Sequence, residues 1–60
     1  MTEKRVADLL SEAIFEHEEL ADLVADVRSF KDAELLTTNE GIVIRLAGGE
    51  EFQITVRRSH

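Results

Sequence analysis

The sequence predicts an α+β domain in two layers, one long N-terminal amphipathic helix packed on a three-stranded antiparallel meander. Three observations carry that prediction. From Thr2 to Ser29 the chain holds no glycine or proline, and its apolar residues recur in steps of three and four. Beyond residue 32 the apolar spacing changes to two, the period of a half-buried strand. All three glycines fall in that second half, beside the segments that alternate.

The helix is predicted over about 3–28. Val6, Leu10, Ala13, Leu20, Val24 and Val27 form its apolar stripe, widened by Leu9, Ile14, Ala21 and Leu23. Thr2 suits the N-cap, Glu3 the positive end of the helix dipole and Arg28 the negative end. No glycine offers a left-handed stop. A break near His17, giving two shorter helices, is the alternative.

Strands are predicted over about 33–38, 42–47 and 50–58. Ile42, Ile44 and Leu46 alternate with Val43, Arg45 and Ala47; Phe52, Ile54 and Val56 alternate with Gln53, Thr55 and Arg57. A two-residue Gly48-Gly49 loop would set the two apolar series on opposite faces. A three-residue loop of Ala47, Gly48 and Gly49, with Gly49 left-handed, pairs Ile44 with Phe52 and Ile42 with Ile54 instead. The same logic at Asn39-Glu40-Gly41, with Gly41 left-handed, sets Leu36 opposite Ile44. One sheet face then shows Leu36, Ile42, Ile44, Leu46, Phe52, Ile54 and Val56, and the helix stripe covers it. The reverse face, with Leu35, Thr37, Val43, Arg45, Gln53, Thr55 and Arg57, is mixed.

Sixty residues make a single domain, 1–60, and a chain this short buries only about 60% of its unfolded surface. Dimerisation through the reverse face or a sheet edge would relieve that shortage. There is no cysteine, no apolar run near the ~20 residues of a membrane span, and no signal-peptide block after Met1. A soluble, cytoplasmic protein is the expectation. The net charge of -6 and pI near 4.7 argue against direct contact with nucleic acid or an anionic membrane and favour a basic partner.

Little in the chain suggests catalysis. The carboxylates lie along one helix and not across a cleft. Ser11, His17 and Asp8 lack any oxyanion hole. Gly48-Gly49 sits in a hairpin and cradles no phosphate. His17 falls between Ala13 and Ala21 at four-residue spacing, without the second ligand a metal needs, and is expected at the core edge. No enzyme activity, cofactor or metal is expected.

What stands out is charge segregation. Between Val6 and Val27 lie Asp8, Glu12, Glu16, Glu18, Glu19, Asp22 and Asp26, with no Lys or Arg. The helix forgoes the Glu–Lys pairs that would add a few tenths of a kcal/mol each. At 100° per residue Asp8, Glu12, Glu19, Asp22 and Asp26 share a stripe opposite the core, with Phe15 in its middle. On one axis this row spans about 27 Å, its carboxylates repeating every ~5 to 6 Å. That approaches phosphate spacing along a nucleic-acid strand, so the row would suit a groove lined with Lys and Arg. An aromatic anchor ringed by charge has the composition of a binding hot spot. Plain solvation is the simpler reading of the same acids.

In composition and in the helix from Asp8 to Asp26, the chain resembles the small acidic phage-encoded inhibitors, anti-CRISPR proteins and other DNA mimics among them. The resemblance implies a non-enzymatic inhibitor whose carboxylates stand in for phosphates in a basic, nucleic-acid-binding protein. Asp8, Glu12, Phe15, Glu19, Asp22 and Asp26 would then form the contact. The modest net charge and Arg45, Arg57 and Arg58 depart from that pattern and leave room for an ordinary protein contact. The alternative is a homodimeric structural or accessory protein assembling through its sheet, its acidic face serving solubility.

Overall fold

In the computed structural model, which describes residues 1–35 and 38–60, the helical half is divided. Helix α1 spans Glu3–Glu16, α2 spans Glu18–Leu23, and the strands are β1 Val24–Ser29, β2 Glu40–Leu46 and β3 Glu51–Val56. The sheet is antiparallel in the order β1-β2-β3, so the meander follows the chain. The α+β architecture, with a long N-terminal helix on a three-stranded sheet, is as the sequence predicts. The element bounds are not.

Helix α1 starts where Thr2 caps it, the Thr2 hydroxyl accepting from the Arg5 amide at 3.1 Å. It stops at His17, whose ψ of 119° is extended. The same residue restarts the chain as N-cap of α2, its imidazole Nδ1 accepting from the Leu20 amide at 3.3 Å. The break weighed at His17 is therefore present, and His17 is exposed at a corner and does not edge the core.

No loop separates α2 from β1. Val24, extended at ψ 126°, closes α2 by donating to the Leu20 carbonyl and is also the first strand residue. The predicted helix thus ends at Leu23, and residues 24–29 form the first strand in place of 33–38. Val27, not Leu36, stands opposite Ile44. Leu36 and Thr37 lie outside the described residues. Between Val24 and Asp26 the register slips by one, so Ala25 is a bulge, and Val24 and Val27 both turn to the helix side.

Gly41 is also corrected. It lies inside β2 and has no left-handed backbone among the positive-φ residues, which are Glu34 and Gly49. Its missing side chain admits the Phe30 ring, which rests on it from the outer face of the sheet. Residues 29–35 make one capped helical turn. Ser29 Oγ accepts from the Asp32 amide, and the Glu34 and Leu35 amides donate to the Lys31 and Phe30 carbonyls. That is a Schellman closure, with Glu34 at φ 60° in the place glycine usually takes.

The second hairpin has the predicted register. Ile42 faces Ile54, Ile44 faces Phe52, and the loop is Ala47-Gly48-Gly49 with Gly49 at φ 101°. Strand β3 ends at Val56, short of the predicted 58. The core between layers joins Ala7, Ile14, Val24 and Ile42, with Val27, Ile44, Leu46 and Val56 packed around them. Ile42 is its centre at 1% exposure.

Candidate functional site

The acidic row is reorganised by the two corrections above. Asp8, Glu12 and Phe15 stand on α1. At 100° per residue they project 120° or more from the direction of Leu10 and Ile14, which face the sheet. Glu19 and Asp22 stand on α2, past the corner at His17. Asp26 leaves the group. It belongs to β1, opposite Arg45 on the outer face of the sheet, where its carboxylate accepts from Arg28 Nε at 2.8 Å. The single 27 Å axis therefore does not exist: α1 alone, at 14 residues, is about 21 Å long.

What remains is a displayed acidic surface. Glu12, Glu16, Glu18, Glu19 and Asp22 are exposed, and among the described residues none of them has a basic side chain within ion-pair distance. Asp8 alone is paired, with Lys4 Nζ at 3.1 Å one turn earlier, an exposed contact of little energetic weight. Phe15 is 50% exposed among these acids. A half-exposed ring in an unneutralised acidic field can anchor a partner that brings cations around an apolar spot. Among the described residues no three His, Asp or Glu side chains converge as metal ligands, and no helix is long and apolar enough to cross a membrane.

A second surface was not read from the sequence as a site. The helices lie mainly over β1 and β2 and reach β3 at Val56, leaving Phe52 and Ile54 on its inner face partly uncovered. An open trough of about 540 Å³ results, walled by Leu10 and Ile14 of α1 and Leu20 and Leu23 of α2, and floored by Ile44, Phe52 and Ile54 among others. No charged side chain lines it. Phe52, at 54% exposure, is the most open of its apolar residues. The signal in the sequence was one of length: an apolar sheet face three strands wide exceeds what one helix of about 10 Å diameter covers at a strand spacing of about 4.8 Å.

The outer face of the sheet carries Asp26, Arg28, Arg45 and Glu51, in two exposed ion pairs, Asp26–Arg28 and Glu51–Arg45, the latter at 3.7 Å. It borders a pocket of about 150 Å³ beside Ala33, Leu35 and Val43. Comparison with protein-family models, with curated proteins and with solved structures finds no match to this chain.

Proposed function

We propose that the chain is a non-enzymatic interaction module that binds a basic protein through the outward face of α1 and α2. Asp8, Glu12, Phe15, Glu19 and Asp22 make the contact in this reading. One observation carries it: Glu12, Glu16, Glu18, Glu19 and Asp22 are exposed with no basic side chain within ion-pair distance among the described residues, and the exposed Phe15 ring lies among them in the chain. Such a surface raises the local concentration of a cationic partner and favours it over neutral competitors. A cytoplasmic nucleic-acid-binding protein is the partner class that offers the matching basic groove, and the chain would inhibit it in the manner of the small phage-encoded mimics. With the row bent at His17 and shortened by the loss of Asp26, the mimicry rests on a patch and not on phosphate spacing.

The test is competition. Immobilised chain retains basic proteins at low salt and releases them near 0.5 M, where the Debye length falls to roughly 4 Å. A DNA duplex competes for the same proteins if their nucleic-acid groove is what the chain occupies. Reversing Glu12, Glu19 and Asp22 to Lys abolishes retention while the circular dichroism spectrum stays native. Retention that survives the reversal refutes the proposal. A homodimeric accessory role, with the acidic face serving solubility, draws its support instead from the half-bare sheet.

A further inference from the structure

We infer that the open edge of β3 seats a second copy of this chain, strand against strand about a two-fold axis at Ile54. This inference deepens the homodimeric reading and is independent of the acidic face.

A folded monomer of 6.8 kDa is expected to expose about 4,000 Å². This chain exposes 4823 Å². The excess, roughly 850 Å², matches the ≈ 800 Å² that each partner contributes to a standard interface. Much of the exposed apolar area is on one side, where Phe52 and Ile54 stand about half-exposed in the trough.

Strand β3 pairs with β2 and with no other described strand, so one row of its backbone N–H and C=O groups is unpaired. From Glu51 to Val56 it carries no lysine, proline or bulge, the devices that commonly block such edges. The opposite edge, β1, is bent by the bulge at Ala25.

Charge selects the second copy over any other strand. A two-fold perpendicular to the sheet keeps inner residues beside inner ones, so paired residue numbers must sum to an even value. Centring on Ile54 sets Phe52 beside the second copy's Val56 and Gln53 beside its Thr55. It also sets Glu51 beside the second copy's Arg57 and Glu50 beside its Arg58, and symmetry repeats both pairs. Centring on Gln53 or Thr55 matches neither. A chain of net charge -6 that repels its own kind over most of its surface thus carries, at this edge, a self-complementary sequence. The apolar floors of the two troughs then adjoin, and the acidic outer faces of the helices stay in water.

Charge-swapped chains test this. By sedimentation equilibrium at about 100 µM, above the micromolar dissociation constants of weak interfaces, the wild-type chain has twice the 6.8 kDa chain mass. Glu50→Arg with Glu51→Arg sets arginine against arginine, and Arg57→Glu with Arg58→Glu sets glutamate against glutamate. Each double variant alone dissociates at least about tenfold more readily, because four like-charge pairs face each other across the seam. An equimolar mixture restores the dimer, because every pair is again opposite in sign. Loss of folding in either variant cannot produce that rescue. A wild-type monomer overturns the inference, as does a dimer that both variants leave intact or a mixture that stays monomeric.

Discussion

Gly41→Ala is the most demanding single change the structure offers. A β carbon at position 41 would lie 2.5 Å from Phe30 Cζ and 2.6 Å from Cε2, and would collide with the Ile54 carbonyl oxygen across the strand pair. Real β carbons do not approach other heavy atoms so closely. The ring must leave its seat or β2 must draw away from β3. Phe30 is 4% exposed, so unseating it forfeits most of what a buried phenylalanine contributes, about 3–5 kcal/mol for truncation to alanine. A chain of 60 residues has a total stability of about 3–9 kcal/mol. Gly41→Ala should therefore remove about half of it or more. Urea unfolding followed by far-ultraviolet circular dichroism measures the loss. Phe30→Leu in the same background relieves the ring collision but not the one with Ile54, so the double variant should be less destabilised than the two changes summed, by about 1 kcal/mol. A Gly41→Ala chain within 1 kcal/mol of wild type would refute the account of why glycine stands there.

Other changes test single contacts. Ile42→Ala, at the centre of the core, should cost about 3–4 kcal/mol by chemical denaturation. Glu34→Gly should raise stability by about 0.5–1 kcal/mol, seen as a rise of a few degrees in the melting temperature, because Glu34 holds a left-handed conformation that glycine adopts without strain. Thr2→Ala should cost about 1 kcal/mol by removing the oxygen that caps the Arg5 amide, and hydrogen exchange should show the first turn of α1 opening before the rest.

The sheet hairpin was legible because two local constraints agree. Glycines at 48 and 49 fix the loop, and only a three-residue loop puts Ile42, Ile44, Phe52 and Ile54 on one face. The first strand was misread for a traceable reason. Val24 and Val27 are three apart, which is helical spacing, yet in the structure they share a sheet face because Ala25 is an extra residue between them. A bulge makes a strand imitate a helix turn in any count of apolar positions. The two β-branched residues were the opposing signal, and β2, which would otherwise leave an edge bare, supplies the pairing that overrides local spacing. Placing Asp26 in the acidic row followed from the same misreading. Gly41 stands where the sequence predicts a turn glycine, but what it provides is room for a ring from residue 30, eleven positions earlier. The exposure of the acids of α1 and α2 follows from helical period and charge, but that of Phe15 could not be read from the sequence, because a break near His17 could turn the ring either way.

The bulge at Ala25 has a consequence for stoichiometry. A sheet with two straight open edges can add copies at both and grow without limit into a filament. Among the described strands β3 is regular and β1 is bulged, so association at β3 would use up the edge suited to it, and the assembly would close at two chains. One residue in the first strand would thereby set an upper bound on how many molecules gather.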